Sequence, residues 1–417
     1  MNILLKSATI VDLGNKHHLK KRDVLIESGV IKKIGAKITK SGKEKEIFLP
    51  NLHISKGWFD PSVSFGEPGF EERETIENGL NTAALSGFTE VAVNANTFPV
   101  TDSKATIQYL KSKASGHAVD LHPIGALTIE SKGVDLAELF DMKNEGAISF
   151  YDYKKPIQNP NLLKIALQYA QGFNGMVQSF PLEKLVAKGG MMNEEINSTR
   201  LGLKGIPALA ESLQIARDLS ILEYTGGKLH IPTISTKKSV ELIKDAKTKG
   251  LDVSCSVAVA NLYLTDDALE SFDTNYKLMP PLRTKDDTKA LLKGLKEGVI
   301  DGVTSDHDPI DIENKKTEFD HAFFGSVGLE SAFGALNSLI DLETTITALT
   351  ALRGVFGCVE EELKEGSKAN ITLFDPNIEW TLKENDILST SKNAAFLKSR
   401  LKGKAYGIYA NKKLLIL

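Results

Sequence analysis

Two serines that follow an apolar run are the first residues whose spacing suits chemistry. The run Gly57-Trp-Phe-Asp-Pro-Ser-Val-Ser-Phe-Gly-Glu-Pro-Gly69 ends in the turn residues Pro68 and Gly69. Ser62 and Ser64 are two positions apart, so both side chains would point to the same face of a strand. Two histidines at this spacing would clamp a metal ion, but neutral hydroxyls are poor ligands for zinc. The pair has the placement of a metal site without its ligand chemistry.

Polar side chains also follow other short apolar runs. They are Asn94 and Asn96, Tyr151-Asp152-Tyr153, Gln178-Ser179, Thr233, and Ser305-Asp306-His307-Asp308. The carboxylates of Asp152 and Asp306 could together hold a hard cation weakly. A serine could instead attack an acyl group, but it needs a base, and no histidine stands beside Ser62, Ser64 or Ser179.

These polar residues stand where predicted strands end. We predict strands at about 58–63, 88–94, 119–125, 147–152, 175–180, 228–233, 252–258 and 300–305. Strands that alternate with helices favour an α/β fold, a parallel (β/α)8 TIM barrel, whose site lies at the carboxyl ends of the strands. A doubly wound sheet is the alternative, but no Gly-x-Gly-x-x-Gly turn follows a strand.

Two of the intervening helices have distinct signals. One should begin after Pro207, because proline suits a first helical turn. Its apolar residues at helical spacing are Leu209, Leu213, Ala216 and Leu219. The other should span 285–297, with Ala290, Leu291 and Leu295 as its apolar residues.

Both ends of the chain have the pattern of strands rather than helices. Residues 2–12 and 23–35 alternate in hydropathy, with the turn Ser28-Gly29 in the second segment. Short strands are predicted at 371–374, 379–382 and 407–410, with a tight turn at Asn411-Lys412. We therefore predict a small β-sandwich domain made of residues 1–52 and 365–417, beside a barrel domain made of residues 53–364.

The composition excludes several classes of protein. The 417 residues have a formal net charge of −3, so the sequence lacks the excess of basic residues that is typical of proteins that bind nucleic acid. Two cysteines, Cys255 and Cys358, exclude a disulfide framework and indicate a reducing cytoplasm. The apolar run at the N-terminus is too short for a secretory signal, and no run reaches the length of a membrane span. We expect a cytoplasmic protein that binds neither nucleic acid nor membrane.

The chain resembles the dihydroorotase family of the amidohydrolase superfamily nearly from end to end. The motifs that carry the resemblance are Glu67-Pro68-Gly69-Phe70 with Glu74-Thr-Ile76, Gly87-Phe-Thr89 with Asn96-Thr97, Leu201-Gly-Leu-Lys-Gly-Ile-Pro207, Ala210-Glu211 with Ile215-Ala-Arg-Asp218, Asn275-Tyr-Lys277, Pro280-Pro-Leu-Arg-Thr284, Asp306-His307, Phe324-Gly325 and Gly328-Leu-Glu330. The Pro-Pro-Leu-Arg run favours this family over the related hydantoinases.

The resemblance implies a zinc site whose ligands this chain has lost. The family's zinc-binding histidines fall on Ser62, Ser64, Ser179 and Thr233. The shared carboxylate falls on Asp152 or on the slot of Tyr153, and the general base falls on Asp306. We therefore expect no bound metal or other cofactor, with Asp306 as a vestigial general-base position.

The substrate contacts implied by the resemblance are mostly replaced as well. The family's substrate-clamping arginine falls on Gly66, an asparagine falls on Met279, and a histidine falls on Ile310. Asn96 remains as a vestigial substrate-binding residue.

Structural roles compete with these site assignments. Asp306 and His307 could form a buried hydrogen-bonded pair, and Asp152 could be a capping or loop carboxylate. Asn96 could satisfy buried backbone groups. His230 is expected to be a core histidine, and Cys255 is expected to serve packing. His53, His117, His122 and His321 lie outside the matched positions and receive no role.

Three functions remain open. The first is a dihydroorotase-like pseudoenzyme of pyrimidine biosynthesis, without hydrolytic activity, that acts as a structural or regulatory partner. The resemblance implies aspartate transcarbamoylase as that partner. We also expect a homo-oligomer, such as a dimer. The second is an active dihydroorotase or another cyclic-amide hydrolase with an atypical site, which would need zinc. The third is a sensor that binds a small molecule in the barrel mouth.

Overall fold

The computed structural model describes residues 2–42, 44–359 and 361–417. Its strands are β1 (Ile3–Ile10), β2 (Lys21–Glu27), β3 (Val30–Gly35), β4 (Lys45–Ile47), β5 (His53–Lys56), β6 (Trp58–Val63), β7 (Phe88–Val93), β8 (Asp120–Gly125), β9 (Ser149–Phe150), β10 (Met176–Gln178), β11 (Met192–Asn193), β12 (Gly205–Ile206), β13 (Lys228–Ile231), β14 (Val253–Ala258), β15 (Gly302–Thr304), β16 (Ile371–Thr381), β17 (Arg400–Ala410) and β18 (Lys413–Ile416).

The α-helices of the same residues lie mostly between the barrel strands. They are α1 (Ile76–Leu85), α2 (Lys104–Ala114), α3 (Leu139–Glu145), α4 (Pro160–Gln171), α5 (Ile196–Leu201), α6 (Ala208–Thr225), α7 (Lys237–Thr248), α8 (Val259–Tyr263), α9 (Lys285–Lys296), α10 (Ile312–Lys315), α11 (Leu329–Asn337), α12 (Leu342–Thr350) and α13 (Leu352–Val355). Among the described residues, no helix combines the length and the apolar character that crossing a bilayer requires.

Eight parallel strands form a nearly closed barrel, in the order β15-β14-β13-β10-β9-β8-β7-β6. Each of them lies within a range predicted from the sequence, so the (β/α)8 fold is confirmed. The buried carboxylate of Asp60 links β6 to β15, the two strands at the ends of this order. It accepts hydrogen bonds from Thr304 Oγ1 at 2.6 Å and from Ser305 N at 2.9 Å. A bridge between Val63 and His307 completes the closure.

The barrel interior is packed with large side chains rather than left as a channel, as barrels of this size usually are. Phe59, Tyr151, Met176, Phe180 and Phe356 belong to one buried cluster in which side chains from different strands meet. This packing fixes the directions of the strand ends. The polar residues that follow the strands therefore start from a rigid base.

Strands from both chain ends form a second sheet, with the order β18-β17-β16-β5-β1-β2-β3 and with β4 paired to β1. We predicted a β-sandwich from both chain ends, and a sheet made of strands from the two ends is confirmed; the domain bounds 1–52 and 365–417 stay a prediction, and β5 also joins this sheet. Asn411 and Lys412 both have positive φ, at 49° and 63°, which suits a tight hairpin turn. The two predicted strands 371–374 and 379–382 are one strand, β16, with a bulge between its two pairing segments.

Helix α6 begins after Pro207, as predicted, and of its predicted apolar residues Leu219 is buried, whereas Leu209 and Leu213 were wrongly placed on the buried face. Leu209 and Leu213 are 55% and 45% exposed. The buried face of α6 includes instead the polar side chains of Glu211, Gln214 and Asp218. Burial of a carboxylate is tolerated when donors surround it, and Glu211 accepts hydrogen bonds from the next strand end and helix.

Helix α9 matches its prediction within one residue, and the side chain of its capping residue explains where it begins. Thr284 Oγ1 accepts from Asp287 N, and the Asp287 carboxylate accepts in return from Thr284 N and Oγ1. Leu291 and Leu295 are buried, as expected.

Candidate active site

The carboxyl ends of the barrel strands form the region we call the mouth. It contains the residues that follow β6, β7, β9, β10, β13 and β15. Ser62 and Ser64 are buried there and contact side chains from the end of β7. Asn94 Nδ2 donates to Ser62 Oγ at 3.1 Å, and Ser64 Oγ donates to Asn96 Oδ1 at 3.1 Å. Both hydroxyls therefore lie in a layer of serine and asparagine side chains; the spacing predicted only that the two serines share a face.

Ser179 and Thr233 follow β10 and β13, two strands that pair with each other in the barrel. Ser179 Oγ donates to Asp218 Oδ2 at 2.6 Å, which ties the mouth to helix α6. Thr233 has a positive φ of 50°, and its buried Oγ1 has no hydrogen-bond partner within the described residues. Neither hydroxyl has a histidine or a cysteine as its hydrogen-bond partner among those residues.

Asp152 is turned toward a neighbouring loop. Its carboxylate accepts hydrogen bonds from Thr128 N at 3.0 Å and from Thr128 Oγ1. Burial raises the pKa of Asp152 although these hydrogen bonds oppose the shift. Its contacts are those of a loop carboxylate, the structural role that competed with metal binding.

Asp306 and Asp308 face a lysine across the mouth. Lys154 Nζ lies 3.0 Å from Asp306 Oδ2 and 3.4 Å from Asp308 Oδ2. Tyr153 adds its hydroxyl, which donates to Asp308 Oδ2 at 3.2 Å. Lys154, Tyr153, Asp306 and Asp308 form a compact, mostly buried charge network where the residues that follow β15 meet those that follow β9.

The burial of this network shifts its protonation equilibria. Burial raises the pKa of Asp306 to about 6, with the Lys154 ammonium opposing the shift. For Lys154, burial alone would lower the pKa, but Asp306 and Asp308 outweigh it and raise the pKa above its usual value. Burial and the nearby Asp308 raise the pKa of Tyr153 well above 10. At neutral pH the lysine is charged and the tyrosine hydroxyl donates.

A hydrogen-bonded Asp306–His307 pair does not form, so that structural alternative is wrong. His307 Nδ1 accepts from Gly328 N at 3.2 Å, while the Asp306 carboxylate turns to Lys154. The two consecutive residues point in different directions because Asp306 has a positive φ of 50°. Asp306 Oδ1 is buried and has no hydrogen-bond partner among the described residues.

The other histidine near the barrel axis is a core residue, as expected. His230 is buried, with its ring nitrogens 2.8 Å from Ser254 Oγ and 3.2 Å from Ser256 Oγ. Burial lowers the pKa of His230 to about 3, so the ring is neutral. Cys255 is also fully buried, in agreement with a packing role.

Sequence reasoning missed Lys154, and it named Asp308 among the polar residues after the last strand without giving it a role. Both lie next to residues that were considered, but neither matches a ligand position of the family. The available signal was a charged side chain directly after an apolar strand end, which is weak because most such lysines are solvated. Only the fold brings Lys154 to residues more than 150 positions away.

A second cluster lies at the amino ends of the strands, which we call the closed end. Glu90, His122 and Cys358 place one potential ligand atom each within 4.8 Å of one another. Glu90 Oε2 is 3.0 Å from His122 Nε2, and its Oε1 is 3.2 Å from an Arg353 nitrogen. Burial would lower the pKa of His122, but Cys358 and Glu90 outweigh it and raise the pKa to about 10. This histidine was expected to have no role, and it forms a partly buried ion pair with Glu90.

The mouth does not fit the zinc site that the family resemblance implies. Zinc binds to imidazole, thiolate and carboxylate groups, and the strand ends present hydroxyls at Ser62, Ser64, Ser179 and Thr233. The carboxylate of Asp306 is already neutralised by a lysine ammonium. The donor set is therefore wrong for zinc in both ligand type and charge.

Comparisons with known proteins identify the family. The family described as "Dihydro-orotase-like" matches residues 53–239. The protein named dihydroorotase of Pelotomaculum thermopropionicum is 40% identical over 411 residues, covering 97% of this chain and 96% of its own. The one of Geotalea daltonii is 36% identical over 412 residues, covering 97% of each chain. Among solved structures, the L-hydantoinase (dihydropyrimidinase) of Arthrobacter aurescens has a TM-score of 0.85 at 20% identity, over 100% of this chain and 97% of its own, and shows the shared fold. The resemblance found in the motifs is confirmed, and the chain belongs to the dihydroorotase family of the amidohydrolase superfamily.

Proposed function

We propose that this chain is a dihydroorotase-like protein of pyrimidine biosynthesis that has lost hydrolysis. It would serve as a structural or regulatory partner, for example of aspartate transcarbamoylase. Relatives named dihydroorotase that match over 97% of the chain support the pathway. The replaced chemistry of the mouth supports the loss of activity.

One observation carries the proposal. The four positions that correspond to zinc-binding histidines hold hydroxyls, and each residue is at most 6% exposed (Ser62 6%, Ser64 3%, Ser179 1%, Thr233 2%). Three of these hydroxyls already have side-chain partners on neighbouring elements. A neutral hydroxyl cannot replace imidazole as a zinc ligand, and without zinc no hydroxide forms at neutral pH to attack the cyclic amide.

The loop after β6 supports the loss of the substrate clamp. Gly66 stands where the family has an arginine, and a Cβ atom at this position would lie 1.8 Å from Phe70 O. Phe70 N donates to Gly66 O at 2.9 Å, so the loop is closed on itself. No side chain fits there unless the backbone moves. Ile310, in place of a histidine, is buried as an apolar residue.

The outer surface supports a role in assembly. Ile165 and Tyr169 on α4 are 43% and 48% exposed, and the exposed Leu209 and Leu213 lie on α6, which packs beside α4. Apolar side chains on neighbouring exposed helices are typical of surfaces that contact other proteins. These four residues are our candidate interface, for a second copy of this chain or for aspartate transcarbamoylase.

The test has a catalytic arm and an assembly arm. Purified protein is assayed for ring opening of dihydroorotate with and without added zinc, beside the Geotalea daltonii protein as a positive control. We expect no rate above background and no stoichiometric zinc at the mouth. In the second arm, sedimentation measures association with aspartate transcarbamoylase at micromolar concentration, and Leu213→Glu should weaken it.

Two results would contradict the proposal. Turnover that depends on zinc would show that the mouth is an active site despite its hydroxyls. A failure to associate with aspartate transcarbamoylase would remove that partner. Lys289→Gln, a change of an exposed residue on α9, lowers the net charge by one as Leu213→Glu does and controls for it in the assembly arm.

A further inference from the structure

We propose that Lys154 is a built-in cation, whose ammonium neutralises Asp306 and Asp308 and excludes a divalent metal ion from the mouth. This inference deepens the proposed loss of hydrolysis and rests on it. It assigns a role to a residue that matches no ligand position of the family.

The contacts of Lys154 are those of a cation held from several sides. Nζ lies 3.0 Å from Asp306 Oδ2 and 3.4 Å from Asp308 Oδ2, so it bridges the two carboxylates. The ring of Tyr153 lies 4.9 Å from Nζ, within the range of a cation–π contact. The Tyr153 hydroxyl donates to Asp308 and holds that carboxylate in place.

The backbone of Lys154 points to a specific role. Its φ is 53°, in the left-handed region that favours glycine and disfavours residues with a Cβ atom. The Lys154 side chain is 12% exposed, whereas the next residue, Lys155, is exposed. The strained conformation directs the side chain into the mouth, and the two carboxylates hold it there.

Charge balance makes the ammonium and a divalent ion mutually exclusive. Two buried carboxylates without a counter-charge would be strongly unfavourable, and Lys154 supplies that charge. A metal ion on the same oxygens would have to displace the ammonium and leave it buried beside a second cation. Asp306 Oδ1, buried and without a partner among the described residues, would be free to bind a metal ion once the lysine is removed.

The test is a metal titration of variants at this position. Lys154→Gly, which also relieves the left-handed backbone, and Lys154→Met are made in a Cys358→Ser background, so that the closed-end donors do not contribute. The probe is Mn²⁺, because carboxylate oxygens suit it. We expect Mn²⁺ to raise the melting temperature of both variants but not of the parent, and to bind at least about tenfold more tightly to them by calorimetry. Adding Asp306→Asn should abolish the gain.

Matched controls separate this effect from general changes in charge. Lys154→Arg keeps the cation, and Lys155→Met removes the adjacent exposed one, so both should behave like the parent. Mn²⁺ binding to the parent as tightly as to Lys154→Gly, or no gain in that variant, would overturn the proposal. If the methionine variant does not fold, the glycine variant decides alone. The titration contains no substrate, so turnover of dihydroorotate by the natural chain would contradict the proposed function without affecting this readout.

Discussion

The two ends of the barrel contain different residues, but at both ends side-chain cations balance buried carboxylates. At the mouth, the carboxylates of Asp306 and Asp308 surround the Lys154 ammonium. At the closed end, Glu90 lies between His122 and Arg353, with Cys358 close by. At the mouth, Ser62, Ser64, Ser179 and Thr233 present hydroxyls, which zinc binds poorly, whereas the closed end has a thiol, an imidazole and a carboxylate within reach of one another.

The comparison teaches that a set of donor atoms does not by itself make a metal site. At the closed end, His122 retains a proton because its pKa is raised to about 10, and Arg353 engages the other oxygen of Glu90. At the mouth, the lysine plays the equivalent part. In both places a side-chain cation already balances the carboxylates, so a metal ion would have to displace it.

We expect the largest loss of stability from a substitution that breaks the ion pair at the closed end. Arg353 is almost fully buried, and one of its nitrogens lies near both Gly57 O and Glu90 Oε1. Arg353→Met should lower the free energy of unfolding by about 3–5 kcal/mol, because it leaves a buried carboxylate with less counter-charge. Urea denaturation measures the loss. The control is Arg200→Met, which breaks an exposed pair with Glu270 and should cost less than about 1 kcal/mol. Equal losses in the free energy of unfolding would show that the Arg353–Glu90 pair stabilises the protein no more than an exposed pair does.

The second prediction concerns how the free energy of unfolding depends on pH through His122 at the closed end. The pKa of His122 rises from 6.5 to about 10 on folding, so the folded state binds an extra proton between these values. The resulting stability is fully present below about pH 6.5 and is lost as pH rises toward about 10. Between about pH 6.5 and pH 8.5 the loss should be about 2–3 kcal/mol. Denaturation of the natural protein and of His122→Gln across this range measures it. If the free energy of unfolding of His122→Gln changed with pH as steeply as that of the natural protein, His122 would not be protonated in the folded state.

We expect the smallest changes in stability from removing either of two hydroxyls at the mouth, those of Ser179 and Thr233. Ser179→Ala removes the donor to the buried Asp218 carboxylate and should destabilise the protein by about 2 kcal/mol. Thr233→Val keeps the shape but removes a buried hydroxyl without a partner among the described residues, so its effect should be neutral or stabilising by up to about 1 kcal/mol. Thermal and urea unfolding of both variants give the comparison. A large loss in the valine variant would indicate that Thr233 binds something at the mouth.

Much of the fold could be predicted because its signals are local. Each barrel strand lies within its predicted range, since alternation and short apolar runs depend on neighbours along the chain. The same holds for the turn at Asn411-Lys412 and for the start of α6 at Pro207. The hydroxyl residues Ser62, Ser64, Ser179 and Thr233 at the strand ends were also visible in the sequence, and their match to zinc-binding histidines stays a prediction.

The buried polar contacts could not be predicted, because they depend on partners that are remote in sequence. Apolar spacing placed Leu209 and Leu213 in the core, but α6 buries Glu211 and Asp218 instead, where donors from other elements satisfy their carboxylates. A periodic pattern counts apolar residues and contains no information about such donors.

The sequence by itself determined the order of strands and helices, the family, and the presence of hydroxyl side chains at Ser62, Ser64, Ser179 and Thr233. Only the tertiary structure decided what balances the charges that remain. Lys154 reaches Asp306 and Asp308 because a left-handed backbone and barrel closure bring the ends of two distant strands together. Electrostatic energy depends on distance in space and on burial, and neither quantity is set by position along the chain.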